Sequence, residues 1–392
     1  MGLKYIDTFS YKTAHVQFNA SLLAACAYIY KNIKYYSCES NSNRVLELLN
    51  TKEKENIQYK KIFVFPGNNK YSLLFRYIIS SILNVIYLLR TNKNDVIIYN
   101  FNNPLSLHLI NSINKLAKRR ILICCHSELE LLISNRNDGG GLYKILRKSV
   151  ISFFTLPRAF QKDIYYAVIG DSIYKNISGI VDKKLHGNII IIPHPYIFNE
   201  LSEISIQNDK KKINIGTVGV FNKLKGANIF YNLVKDINET VKDKINFSIT
   251  GRIFYDIEKL KKENISLPEN NGETPLDERE FSDRISKLDY IIYLYNNKSY
   301  KLTASGALLD AIYFNKPIIS LTNDYFEYFF NKYGTIGYLA KDIDELKQII
   351  SDIVKGKQKP LKINFEKIKE MLLPKNNYQE IEQELKKIDF LE

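Results

Sequence analysis

Residues 289–321 read DYIIYLYNNKSYKLTASGALLDAIYFNKPIISL. An apolar run over 289–295, a polar loop, helical spacing over 304–315 and a second apolar run over 317–321 make one strand–helix–strand unit. Both strands are apolar at successive residues rather than alternate ones. That pattern belongs to strands buried on both faces, in a parallel sheet covered by helices. Outward from this unit the same alternation continues. Strands are predicted at 213–218 (INIGTV) and 245–250 (INFSIT), with helices at 226–241, 278–288 and 342–355. The first half repeats the scheme, with strands at 4–9, 33–38, 60–65, 95–101, 120–125, 165–169 and 188–193. Its helices fall at 16–31, 71–92, 104–117 and 142–154. A polar stretch over 196–212, ending in Asp209-Lys210-Lys211-Lys212, reads as a linker. The expectation is an α/β protein with two Rossmann-like domains, 1–195 and 213–375. A charged C-terminal helix within 376–392 packs back on the first domain. A ligand is expected in the cleft at the carboxyl ends of the strands.

Composition agrees with this class. Of 392 residues 45% are hydrophobic and 25% charged, which excludes disordered and collagen-like chains. The length suits two domains, each able to bury its own core. Cys26, Cys38, Cys124 and Cys125 show no metal-ligand spacing and no disulfide framework, so a reducing, cytoplasmic setting is expected. The opening MGLKYIDTFSYK lacks a basic segment followed by an apolar run, so no secretory signal is read there. The formal charge of +14 points to an anionic partner: nucleic acid, anionic lipid or a phosphorylated small molecule.

Two segments carry chemistry. In INIGTVGVFNKLKG, residues 213–226, a strand enters a turn with Gly216 and Gly219, followed by Lys223, Lys225 and Gly226. Glycines let a backbone approach phosphate closely, and lysines with a helix start supply positive charge. The G-x-G-x-x-G spacing of dinucleotide sites is absent, so no nicotinamide or flavin cofactor is expected. In the second segment Thr303, Ser305 and Gly306 lead into a helix whose first N–H groups suit a diphosphate. Asp310 follows one turn on, placed to accept hydrogen bonds from a sugar hydroxyl. Arg252 in the turn after INFSIT is a candidate diphosphate clamp. Glu278 and Glu280 are candidates for the base or ribose.

The run Ser-Gly-x-x-x-Asp-Ala followed by Lys-Pro-Ile-Ile resembles the nucleotide-sugar site of GT-B glycosyltransferases, of the bacterial surface-polysaccharide type. Many retaining members carry two Glu separated by seven residues, then Ala and a Lys-Pro strand entry. On this sequence the second acid falls on Asp310 and the first on Leu302, so the first acid is missing. The family's Lys-Gly matches Lys225-Gly226. Its Arg five residues earlier falls on Val220, with Lys223 as the substitute. The resemblance also implies a general base at His15, the position used by inverting members, and a donor or acceptor contact at His126, matching retaining ones. The catalytic candidates are thus His15, His126 and Asp310. The donor-binding candidates are Gly219, Lys223, Lys225, Arg252, Glu280, Thr303, Ser305 and Gly306. GT-B enzymes neutralise the leaving diphosphate with basic groups and helix dipoles, so no metal is expected. The partners implied are a nucleotide sugar and a glycan or lipid-linked glycan acceptor.

Two other readings stay open. A sugar-nucleotide epimerase of the same fold has a Ser-Gly-Gly-x-x-Glu-Glu loop that Ser305, Gly306 and Asp310 echo, with Ala at 307. A basic nucleic-acid-binding protein would interleave aromatic and basic residues on a sheet or recognition helix, whereas lysines here are scattered, and no nucleic acid is expected. Finally, the apolar run from Tyr77 to Leu89 is shorter than the roughly 20 residues of a membrane span. Residues 71–92, with Arg76 and Arg90 as cationic flanks and Lys115, Lys118, Arg119 and Arg120 following, are expected either to lie on an anionic membrane surface or to be core.

Overall fold

A computed structural model describes residues 1–67, 69–134, 140–157, 160–199, 212–295, 300–359 and 361–391. The chain divides into two compact units. The first comprises Met1–Asn199, Leu302–Ala304 and Glu370–Glu392; the second comprises Glu200–Lys301 and Ser305–Lys369.

The first unit holds a parallel sheet of β1 (Leu3–Ile6), β2 (Ile33–Ser37), β3 (Ile57–Lys61), β4 (Val96–Tyr99), β5 (Arg120–Cys124), β6 (Ile164–Ile169) and β7 (Ile189–Ile192), in the order β3-β2-β1-β4-β5-β6-β7. Tyr5 of β1 lies opposite Tyr35 of β2 on one side and Ile98 of β4 on the other. The chain travels from β1 to β3 in one direction and from β4 to β7 in the other. Right-handed crossovers therefore place the helices Val16–Ile29, Glu39–Leu48 and Thr51–Glu55 on one face. Lys70–Leu89, Leu107–Ala117 and Gly141–Phe154 cover the other. The helix Pro374–Lys387 packs on Val16–Ile29, where Tyr28 and Tyr378 stack at 5.3 Å. The C-terminal return to this unit begins at Glu370, earlier than the sequence suggested, and the Tyr196 N–H donates to the Leu372 carbonyl at 3.0 Å.

The third strand departs from expectation. The apolar KIFVF run does not form it; the more polar IQYKK before it does. β3 is an edge strand, where polar side chains are the rule. Ile62 and Val64 instead pack beyond its end against Cys38.

The second unit holds β8 (Ile213–Val218), β9 (Ile245–Thr250), β10 (Tyr290–Tyr293), β11 (Ile318–Leu321) and β12 (Gly337–Ala340), all parallel, in the order β12-β11-β10-β8-β9. Its core gathers Ile215, Phe247, Ile249, Ile292 and Ile319 from the sheet under Phe230 and Leu346 from helices. β12 was not foreseen. It is four residues long and starts with Gly337, where a Cβ would stand 2.0 Å from the Ile318 carbonyl oxygen. The Lys-Pro entry to β11 has a structural cause. The Lys316 ammonium donates to the carbonyls of Ser286 and Leu288, both at 2.6 Å, and so caps the end of the helix Glu278–Ser286.

Candidate functional site

In the second unit the strand order reverses direction between β8 and β10, the place where open α/β sheets bind ligands. β8 is followed by Gly219, at φ +91°, whose N–H donates to the Thr250 carbonyl at 2.8 Å. Asn222 then accepts from the Lys225 N–H at 3.0 Å, closing a short 3-10 turn over Lys223–Lys225. That turn fixes the phase of the two lysines. Lys223 faces solvent, while Lys225 turns in, so that a Cβ at position 219 would begin 3.6 Å from its ammonium. Gly226, at φ +83°, lets the turn press on the end of β10; a Cβ there would fall 2.3 Å from the Leu294 carbonyl oxygen.

The Lys225 ammonium lies over two stacked tyrosines, 5.7 Å from the Tyr295 ring and 5.9 Å from Tyr300. Burial lowers its pKa, and Asp310 opposes that shift by attraction. Lys225, Gly219 and Asp310 thus belong to one site. Ser305, itself buried, starts the helix Gly306–Tyr313, and a Cβ at Gly306 would meet nothing within 4 Å. Open space therefore stands at a helix start beside a cation, a geometry suited to an anion. Arg252 follows β9. Its backbone carbonyl accepts from the Phe221 N–H at 2.7 Å and its guanidinium lies 4.8 Å over the Phe254 ring. Its buried Nε makes no hydrogen bond among the described residues.

Two candidates sit apart from this group. The Glu280 carboxylate accepts from the Glu269 N–H at 3.2 Å and so ties a loop to its helix. Thr303 lies within Leu302–Ala304, which group with the first unit.

In the first unit the reversal falls between β1 and β4, and the residues just past the strands converge there. Asp7 accepts from the Ser10 N–H at 2.8 Å and from the Asn19 amide at 2.6 Å. The Asn100 side-chain amide donates to Asn19 Oδ1, and the Tyr5 hydroxyl to Asn100 Oδ1 at 2.7 Å. His126 Nε2 stands 2.9 Å from the Asn100 carbonyl oxygen, so it carries the proton, which leaves Nδ1 as an acceptor.

The His126 ring lies 5.1 Å from that of His15 and 4.5 Å from Phe18, and Phe18 is 5.6 Å from His194. Burial, reinforced by His15, holds the His126 pKa down at about 3; burial holds His194 at about 4. His15, in left-handed conformation at the start of its helix, opens to solvent. The protein around it still excludes enough water to lower its pKa, against the pull of Asp7. Beside them Glu128, buried and accepting from the His126 N–H at 2.8 Å, is raised to about 7 by desolvation. His108, in the helix Leu107–Ala117, bonds Ser152 of the helix Gly141–Phe154 at 3.1 Å, a structural role. Among the described residues no cluster of His, Cys, Asp or Glu is arranged to hold a metal.

No protein-family model and no curated protein matches the sequence. Solved structures do match. The lipopolysaccharide outer core galactosyltransferase WaaB shares 13% identity over 99% of both chains, with a TM-score of 0.57. HepE of Anabaena, solved in complex with UDP-glucose, shares 10% over 99% of this chain and 96% of its own, at 0.56. TarM shares 14% over 79% of this chain at 0.53, and this chain spans 57% of the TarM chain.

The chain has the GT-B fold. Within its two GT-B units the sequence pointed to His15, His126, Gly219, Lys225, Ser305, Gly306 and Asp310, and the geometry groups them into two strand-end clusters, one in each unit. It missed Asp7, Asn19, Asn100, Glu128 and His194. Their signal was weak but present: Asp7, Asn100 and His194 each fall within two residues of a strand's end.

Proposed function

We propose that this chain is a glycosyltransferase that moves a sugar from a nucleotide-sugar donor to a hydroxyl of a glycan or lipid-linked glycan. The observation that carries the reading is the inward Lys225 ammonium over the Gly219 turn, with Asp310 and the open helix start at Ser305-Gly306 in the same unit. When the bond from the anomeric carbon to the diphosphate breaks, the leaving nucleoside diphosphate gains negative charge. A desolvated ammonium and unpaired helix N–H groups favour that state over the ground state. Arg252 adds a second cation from the neighbouring strand end. Asp310, repelled by phosphate, takes the sugar or ribose hydroxyls. HepE, on the same fold, is a precedent for a UDP-sugar ligand.

The acceptor hydroxyl attacks the anomeric carbon, and its proton passes to a base. His15 fits that role: it opens to solvent, its lowered pKa keeps it neutral at pH 7, and it adjoins His126. His126, locked by its bond to Asn100, positions rather than shuttles. The four cysteines are all free and buried, which suits a cytoplasmic enzyme working on surface-polysaccharide precursors. The test is release of nucleoside diphosphate from a panel of nucleotide sugars, with and without glycan acceptors. Turnover of one donor that is lost in Lys225→Met supports the reading. A folded protein inert to the whole panel, and failing to bind any nucleoside diphosphate, overturns it.

A further inference from the structure

The helix Lys70–Leu89 is amphipathic with its faces reversed. Its buried residues are Arg76, Ser80, Ser81, Asn84 and Leu88, four of them polar. Tyr71, Phe75, Ile78, Ile82 and Leu89 are exposed, spaced by three, four or seven residues along one outward stripe. The inward face is fixed by hydrogen bonds. Thr8 bridges Ser80 at 2.7 Å and Asn84 at 2.8 Å; Asn103 donates to Ser81 at 3.0 Å; the Tyr99 hydroxyl donates to the Asn84 carbonyl at 2.6 Å. Arg76, expected as a surface cation, instead donates to the carbonyls of Phe65 and Gly67 and lies over Phe9 and Tyr11. Rotating the helix to hide its apolar face would strip these partners from buried polar groups. The stripe is therefore held outward. The helix is long and apolar enough to cross a bilayer by length and composition, but this bonded inner face keeps it on the sheet.

Charge settles what covers the stripe. Residues 56–162 contain 16 Lys and Arg against 4 Asp and Glu, which is +12 of the chain's +14. Lys70, Arg90 and Lys93 are exposed around the ends of the stripe. The helix Leu107–Ala117, packed beside it, exposes Leu109, Lys115 and Leu116. A like-charged second copy would have to bury this excess against itself. An anionic bilayer neutralises it while taking up the apolar side chains. We infer that the outward face of Lys70–Leu89 inserts into the headgroup region of an anionic phospholipid membrane, lying along it rather than spanning it. The exposed Phe63, with Phe65 and Phe75, continues the apolar surface past the carboxyl end of β3, the edge of the sheet where His15 and His126 also stand. Membrane-embedded acceptors would be presented to that edge. The docking itself does not depend on the transferase reading.

The test is flotation of the full chain with phosphatidylglycerol–phosphatidylcholine vesicles and with pure phosphatidylcholine at low salt. Wild type is expected to float with the anionic vesicles alone. The Ile78→Glu/Ile82→Glu variant, altered only at outward positions, should bind about tenfold or more weakly with an unchanged melting temperature. A second readout does not depend on that variant folding. The chain has no tryptophan, so Ile82→Trp gives a single reporter whose emission should shift to the blue and be quenched by brominated acyl chains. Lys54→Trp, on the opposite face of the sheet, should not respond. Failure of wild type to float with anionic vesicles, or an unquenched Trp at 82, overturns the inference. So does a stable dimer that Ile78→Glu/Ile82→Glu dissociates, since a second copy would then cover the stripe. None of these outcomes bears on nucleotide binding by the second unit.

Discussion

Lys225→Met is the substitution that separates a phosphate site from an ordinary turn. Methionine keeps most of the buried stem and removes only the charge. In the free protein that charge is desolvated and partly compensated by Asp310, so its loss should cost little stability, within about 1 kcal/mol. Towards a nucleoside diphosphate the loss is larger. A hydrogen bond to a charged group contributes about 1.5–3 kcal/mol, which predicts an affinity lower by about 10- to 100-fold. Without the Lys225 charge beside it, Asp310 would repel the phosphates more strongly. Lys225→Met/Asp310→Asn should therefore bind more tightly than Lys225→Met alone, by about 1 kcal/mol. Isothermal calorimetry with the nucleoside diphosphate that wild type binds best measures both quantities. Lys225→Met with a normal melting temperature and affinity within twofold of wild type would remove Lys225 from the phosphate site.

Other outcomes follow from the first unit. His15→Ala should lower turnover by about 10²–10⁴ while donor binding persists, as steady-state kinetics beside calorimetry will show; an active variant would remove His15 as base and favour a retaining course. Glu128 is protonated in the native state up to about pH 7 but ionises near 4.5 when unfolded, so its contribution is complete below pH 4.5 and fades as pH rises through 7. Glu128→Gln should accordingly raise urea stability at pH 8 by about 1–3 kcal/mol and change it little at pH 4.5. The histidines act with the opposite sign. His126 and His194 stay neutral when folded, so wild type should lose stability as pH falls below 6.5, and His194→Gln should reduce that loss between pH 6.5 and 4 in the same urea titration. Gly226→Ala should destabilise by about 2 kcal/mol or more in thermal melts, because its φ and the nearby Leu294 carbonyl both exclude a Cβ.

What the sequence revealed follows from how local each signal is. The runs DYIIYLY and PIISL contain the observed β10 and β11 because burial on both faces demands unbroken apolar runs, while INIGTV and INFSIT, apolar mainly at alternate residues, coincide with β8 and β9. The helix Glu39–Leu48 was missed because only Val45 among its apolar residues is fully buried, which leaves little periodicity to read. Lys223 and Lys225 looked equivalent until the Asn222 cap set which one turns inward. The Asp7–Asn19–Asn100–His126 network joins residues up to 119 positions apart. It became visible only once β1, β4 and β5 stood side by side. The reversed helix is the sharpest case. Its composition suggested core or membrane, and only the hydrogen bonds to Thr8, Asn103 and Tyr99 show which face is held outward.

Nucleotide-sugar binding is tested by a melting curve of the wild-type protein with each common nucleoside diphosphate in turn. A ligand held by the native state alone stabilises it by mass action, about 2.7 kcal/mol at 100 times its Kd. At roughly 2–4 °C per kcal/mol for units of this size, one nucleoside diphosphate should raise the transition by about 5–10 °C. At that concentration the same compound should stabilise Lys225→Met by only about 0.4–1.4 kcal/mol, half of the wild-type shift or less. A melting temperature that moves with none of them at millimolar concentration contradicts a nucleotide-sugar donor.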